Sequence, residues 1–266
     1  MGKVAKIQAS VINQMHFDDF IRSMLMGINK FNIEEDIEDT LIIRGLGGGS
    51  QKAIKRCWSS GLPFYAIDTG YFGNGKHKIW HRITYNALQN MNQISNCNES
   101  RLTQQLGQWN QIYKKFTTGD KILVCPPSDK VMNLFGQGTA REWTSNLVKQ
   151  IETLTDRPIE IRMKPSRSAR VTDSTIQEAL HDNVHCLITY NSIAATEALL
   201  EGKPAITLGP NAAQLICETD LANINNPKIP TEDEMFNFLK HLSYSQFTQE
   251  EMKNGIAWKI LQETQV

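Results

Sequence analysis

Between Val184 and Gly209 the chain reads VHCLITYNSIAATEALLEGKPAITLG, an order of residues that sets one carboxylate, Glu197, near free backbone amides. The apolar run VHCLIT predicts a strand, and Tyr190-Asn191-Ser192 ends it with polar residues able to cap a helix. That helix, Ile193 to Leu200, stops at Gly202, and Lys203-Pro204 feeds a second apolar run, AITL. Strand, short helix and strand in this order put the helix opening and Glu197 at the carboxyl ends of parallel strands, where open α/β sheets bind ligands. Upstream, in IEIRMKP, Arg162 and Lys164 alternate with Ile161 and Met163. A period of two turns both cations to one side and the apolar pair to the core. The loop SRSARV adds Arg167 and Arg170. Convergent cations and helix-start amides suit a diphosphate; the same charges also suit the solvated edge of a sheet. Asn191 and Ser192 can donate to such a ligand, and capping accounts for Ser192 nearly as well.

Three further groups carry potential chemistry. The loop Gly45-Leu46-Gly47-Gly48-Gly49-Ser50 follows the strand TLIIR, so Gly47, Gly48 and Gly49 form either a backbone nest for phosphates or a plain tight turn. It is neither G-x-G-x-x-G nor a Walker A motif. Asp68 ends the strand PFYAI and is a candidate general base for a hydroxyl, or a turn cap. His81 and Arg82 in KIWHRITYN are candidates for holding an acceptor or a leaving phosphate, and His16 in HFDDF is a second candidate base. No two of these histidines stand four apart on a helix, so no dedicated metal site is expected, and Asp18-Asp19 reads as a helix start. Lys76, Lys78 and Arg82 interleave with Tyr71, Phe72, Trp80 and Tyr85, the pattern of a polyanion or nucleic-acid surface and equally of an ordinary amphipathic loop.

The elements that must position these residues alternate strand and helix. KVAKIQASVI and TLIIRGL predict strands, with helices over Asp18–Lys30 and Gln51–Ser60, and PFYAID predicts a third strand. Residues 86–115, rich in Asn and Gln and poor in aliphatics, predict a linking or surface-loop region. A second series then runs KILVCP, an amphipathic helix over Thr139–Leu154 with Trp143, Leu147, Ile151 and Leu154 on one face, IEIRMKP, and a short helix over Thr175–His181. Helices over Glu232–His241 and Gln249–Leu261 close the chain. The expected division is 1–117 and 118–243, with 244–266 packing back on the first domain.

With 266 residues, 28 basic and 28 acidic side chains give no net charge and no global field for nucleic acid. The five scattered cysteines contain no C-x-x-C pair, so disulfides and zinc knuckles are not expected, and Cys125 and Cys186 read as core residues. The start lacks a signal-peptide apolar region, and no apolar run of about 18 residues occurs. The expectation is a soluble, reduced-compartment protein without a membrane span, cytoplasmic, or in the host cytoplasm if phage-encoded.

The segment containing Asn191, Ser192, Glu197, Ala198, Leu199, Gly202, Lys203 and Pro204 resembles the nucleotide-binding half of the GT-B glycosyltransferases, in particular small phage-type members and capsule-polysaccharide transferases. The likeness runs over about residues 120–258, including YSQFTQEEMKNGIAW, and more faintly over AIDTGYF and WHRITYNAL. It implies an α/β fold of two minimal Rossmann-like domains facing a cleft and a nucleotide-diphosphate sugar as donor substrate, with no tightly bound cofactor. It implies that Glu197 accepts from the donor ribose hydroxyls and that Arg162 or Lys164 touches the diphosphate. It permits duplex DNA bearing hydroxymethylated pyrimidines, or a glycan, as acceptor. A sugar-nucleotide 2-epimerase and a non-catalytic nucleotide- or polymer-binding module are the alternatives.

Overall fold

Apolar residues alternating with polar helical faces collect into two compact units, Met1–Asn90, Ile94–Leu106 and Lys240–Val266 in one, Met91–Gln93 and Gly107–Leu239 in the other. The structure, a computed structural model, describes residues 4–7, 18–31, 40–47, 49–74, 78–92, 97–164 and 175–264.

The first unit opens with β1 (Val4–Lys6), α1 (Asp19–Ile28), β2 (Leu41–Arg44), α2 (Ser50–Ser60), β3 (Phe64–Thr69), β4 (His81–Tyr85) and α3 (Ser100–Leu106). Asp18 starts α1 by accepting from the Phe20 amide at 3.0 Å, and Asp19 complements the helix dipole in its first turn. The second unit holds α4 (Trp109–Ile112), β5 (Lys121–Val124), α5 (Asp129–Leu134), α6 (Ala140–Ile151), β6 (Ile159–Ile161), α7 (Ile176–His181), β7 (Val184–Thr189), α8 (Ala194–Leu200), β8 (Ala205–Thr207) and the start of α9 (Glu232–Ser243). The chain then returns to the first unit through β9 (Gln246–Phe247), α10 (Gln249–Asn254) and α11 (Ile256–Thr264).

The first sheet runs β1-β2-β3-β4-β9. Only β2 and β3 pair parallel, joined through α2; the register of β3 on β4 sets Asp68 opposite Arg82 and Thr69 opposite His81. Strand β4 goes beyond the sequence reading, which assigned KIWHRITYN to no element. Ile21, Met24, Leu25 and Ile28 of α1 pack with Ile42, Tyr65, Ile67 and Ile83 of the sheet and with Met252, Trp258 and Leu261.

Within residues 86–115, the stretch Ser100–Leu106 is not a surface linker but the helix α3, part of the first unit. Leu102 is buried on α3, and the polar side chains around it are buried because they are bonded. Arg101 reaches Glu251 at 2.7 Å and donates to the carbonyls of Ser243 and Gln246 at 3.1 and 3.0 Å. Gln105 donates to Ser243 at 2.9 Å and accepts from Gln246 at 3.0 Å. The closing helix is also broken where one continuous helix was expected. Gly255, at φ 84°, separates α10 from α11.

The second sheet is wholly parallel in the order β6-β5-β7-β8. After β5 the chain runs to the edge strand β6 and then recrosses to β7 on the other side of β5. Strand order therefore reverses between β5 and β7, which makes their carboxyl ends the switch point of the sheet. Capping boxes, Thr139 with Glu142 and Thr175 with Glu178, fix the starts of α6 and α7. Leu147 and Ile151 of α6 pack under the sheet, whereas Leu154 is exposed because the helix ends at Ile151. Both units are sheets flanked by helices, two Rossmann-like α/β bodies as the sequence leads one to expect. No helix among the described residues is long and apolar enough to cross a membrane.

One orientation is corrected. Ile161 and Met163 are 46 % and 47 % exposed, so they do not face the core opposite Arg162 and Lys164. The alternation argument assumed a continuing strand, but β6 is an edge strand that stops at Ile161, and past it the period of two no longer holds.

Candidate functional site

The carboxyl ends of the second sheet are tied together by short bonds. The Arg162 amide donates to Val124 at 2.9 Å, Cys125 donates to Ile188 at 2.8 Å, and the Thr189 hydroxyl donates to the Cys125 carbonyl at 2.6 Å. Leu208 completes the row by donating to Thr189 at 2.9 Å. Rigid strand ends are what a binding constellation needs, because side chains leaving them inherit fixed positions.

Glu197 stands in the first turn of α8 above this row. Burial pushes its carboxyl up, Lys164 and then Arg162 pull it down, and the balance leaves it at about 7. The structure thus brings Glu197, Lys164 and Arg162 into one electrostatic group, although Arg162 lies beyond the end of β6 and Glu197 follows a different strand. Among the described residues the Glu197 carboxylate makes no hydrogen bond. Cys125 feels the same charges: burial drives its thiol up to about 12, Arg162 opposes and Glu197 adds to the rise. A thiol held there is no nucleophile, in keeping with a core role.

Asn191 and Ser192 are engaged locally. The Asn191 carboxamide donates to the Pro210 carbonyl, and Asn211 reciprocates with a 2.9 Å bond to the Ser192 carbonyl, so the loops after β7 and β8 are cross-tied. Ser192 Oγ accepts from the Ala194 amide at 3.2 Å, the capping role; its own proton has no acceptor among the described residues. Lys203 precedes β8, at the amino end of the sheet, and donates to Thr117 Oγ1 at 3.0 Å. Sequence reasoning missed Tyr190. Its ring lies so flat on Gly209 that a Cβ there would sit 2.5 Å from it, and Phe135 and Trp143 close around it at 5.7 and 6.2 Å. No periodicity marks these three aromatics, because they come from three separate elements.

In the first unit, Asp68 and His81 lie at the same end of the paired strands β3 and β4, in adjacent registers. Asp68 Oδ1 accepts from the Thr69 amide at 2.7 Å, and its carboxylate faces Arg82 at 3.4 Å and Arg44 at 4.0 Å. His81 is 3 % exposed, and burial, then the Arg44 charge, lowers it to about 4. It is neutral at physiological pH and offers a hydrogen bond rather than a charge. Arg82 is committed to the fold, donating to the carbonyls of Leu88 at 3.0 Å and Thr69 at 2.5 Å. Tyr71, Phe72 and Trp80 are buried, which leaves Tyr85 as the exposed aromatic of the interleaved set. Gly47 and Gly49 lie in the turn between β2 and α2, closed by the Ser50 amide donating to Gly47 at 3.2 Å. His16, Gly48, Lys76, Arg167 and Arg170 lie outside the described residues. Among the described residues no three His, Cys, Asp or Glu side chains group as metal ligands.

No protein-family model matches the chain, and no curated protein matches it in sequence. Among solved structures it is similar to Thermosulfurimonas dismutans KpsC, beta Kdo 2,4 transferase, at 12% identity over 78% of this chain and 80% of that one, with a TM-score of 0.48. It is similar to the beta Kdo 2,7 transferase of the same name and organism at 12% identity, over 90% and 95%, with a TM-score of 0.47.

Proposed function

We propose that this protein is a glycosyltransferase that moves a sugar from a nucleotide-diphosphate donor to an acceptor hydroxyl. The observation that supports this reading best is Glu197, held near neutrality beside Lys164 and Arg162 at the strand-order reversal of the second sheet. A carboxylate there accepts from the paired hydroxyls of a ribose, while the two cations meet the diphosphate. The Ser192 hydroxyl is a further donor to phosphate. In the transfer, the bond from the anomeric carbon to the phosphate oxygen breaks and its electron pair leaves on the diphosphate. The acceptor oxygen bonds to the anomeric carbon, and its proton passes to a base, the role assigned to Asp68. His81, neutral and buried, orients the acceptor through a hydrogen bond. Because Tyr71, Phe72 and Trp80 are buried, a stacking surface for nucleic acid is lacking among them, and a glycan hydroxyl is the favoured acceptor.

The test is binding and turnover of UDP-, GDP-, ADP- and CDP-sugars, with glycans and with hydroxymethylated duplex DNA as acceptors; stimulation by DNA alone would reverse the choice of acceptor. Glu197→Gln adds a signed prediction. A carboxyl raised above its ordinary value stabilises the fold when protonated, at low pH, and that contribution is lost as pH rises through about 7. The variant is therefore expected to melt higher than wild type at pH 8 and to bind donor at least tenfold more weakly. Wild-type donor affinity should rise across pH 7 as the accepting carboxylate forms. Unchanged affinity in the variant, or melting curves that differ equally at pH 5 and pH 8, would count against the assignment.

A further inference from the structure

The first unit carries a second set of polar atoms that its own fold does not satisfy. Arg44, the last residue of β2, is 19 % exposed at its side chain and sits over the Phe20 ring at 4.5 Å. Among the described residues its hydrogen bond is a long one, 3.5 Å from Nη1 to the Ile67 carbonyl. Asp18 and Asp68 form ion pairs with it at 3.7 Å (to Nε) and 4.0 Å (to Nη1), beyond hydrogen-bond reach, and the buried Nε has no hydrogen-bond partner among the described residues. A guanidinium has five donors, so most of this one is unused. His81 packs on the same Phe20 ring, with centroids 4.1 Å apart; its ring interacts with the Ile79 backbone, and its buried Nδ1 has no hydrogen-bond partner among the described residues. Two buried nitrogens without a hydrogen bond, set against one ring, are unusual in a native fold and call for a ligand.

The backbone at the same strand end is open as well. Gly45, at φ 58°, turns the chain out of β2, and a Cβ at Gly45 or Gly49 would meet nothing within 4 Å. Helix α2 has 11 residues and no side-chain cap, and the Ser50 hydroxyl turns back to the Arg44 carbonyl at 3.5 Å. Uncapped amides at a helix start and an under-used arginine favour the same ligand chemistry, an oxyanion.

We propose that Arg44, with the imidazole of His81 and the opening of α2, forms an oxyanion subsite in the first unit. It takes a carboxylate or phosphate monoester. The assignment of that anion to the acceptor, which would then be an acidic or phosphorylated glycan, rests on the transferase reading; the anion site itself does not. Lys78, which donates to Thr69 Oγ1 at 3.1 Å, adds positive charge at the end of β3. Planar, two-point capture by the Arg44 fork gives the site its geometry.

The experiment titrates the full chain, labelled with 15N-histidine, with inorganic phosphate and separately with acetate at constant ionic strength. The His81 ring resonances are expected to shift saturably with at least one probe. Phosphate alone points to a phosphorylated acceptor, acetate alone to an acidic sugar, and both to an oxyanion site without selectivity. Arg44→Gln is expected to weaken binding at least tenfold, and Glu197→Gln to leave it within twofold, which separates this site from the donor site. Should Arg44→Gln fail to fold, Arg44→Lys keeps the charge beside Asp18 and Asp68, loses the fork, and should still weaken binding severalfold. No shift with either probe, or shifts that survive both Arg44 variants, would overturn the proposal. So would a crystal grown with both anions that shows only an ordered water against Arg44 and His81.

Discussion

Arg162→Ala is expected to lower turnover on a nucleotide-sugar donor by about 10²–10³-fold, about 3 kcal/mol on the barrier. In the proposed transfer, what matters is where charge develops. As the anomeric bond breaks, negative charge builds on the diphosphate, and a cation already fixed at that place stabilises it without reorganising. Arg162 is fixed: its amide is tied to Val124 at 2.9 Å, so its side chain leaves the sheet from a set position. In the proposed site Lys164 stands beside it, and a compact ammonium on a flexible stem cannot replace a planar fork. A second readout separates this role from that of a surface charge. Arg162 holds the Glu197 carboxyl down, so its removal should move that group above about 7. Steady-state rates and the titration of Glu197 by NMR check both parts. A rate loss under fivefold with an unmoved Glu197 would make Arg162 a bystander.

Gly27→Ala is expected to destabilise the first unit by about 1–3 kcal/mol or more, through overpacking. A Cβ at Gly27 would stand 1.9 Å from the Met252 carbonyl oxygen and 3.0 Å from the Gly255 Cα. Both obstacles are backbone, so no rotamer change relieves them. Helices α1 and α10 would have to separate, which loosens Met24, Ile28, Met252 and Trp258 together. For a chain of this size the melting temperature should fall by roughly 2–4 °C per kcal/mol. Gly49→Ala is the control: its backbone, at φ −75°, admits alanine and the added methyl meets nothing, so its stability should stay within about 0.5 kcal/mol of wild type or rise. Urea denaturation of the two variants decides the matter. Equal midpoints would show that the close approach of α1 and α10 is not constraining.

The two glycines illustrate what local sequence can say. Gly61 and Gly202 announce helix ends from sequence alone, because a left-handed residue after a helical pattern is a local requirement. Gly27 announces nothing, since the atom it must admit is 225 residues away. Strand β4 was hidden for a related reason. His81 and Arg82 occupy buried positions in it, and burying them requires bonds to Leu88, Thr69 and Asp68 that no short window contains. Residues 86–115 misled in the same way, because Arg101 and Gln105 are buried by hydrogen bonds to a segment about 140 residues on.

By itself the sequence determined the alternation of strands and helices, the starts of α6 and α7, and the strand–turn–helix unit carrying Glu197, all of which depend on residues within one or two turns of each other. Only the tertiary structure decided that Glu197 shares its field with Arg162 and Lys164, that Ile161 and Met163 face outward, and that Arg44 and His81 meet on Phe20. Those outcomes depend on strand order and on desolvation, and neither exists until distant segments pack.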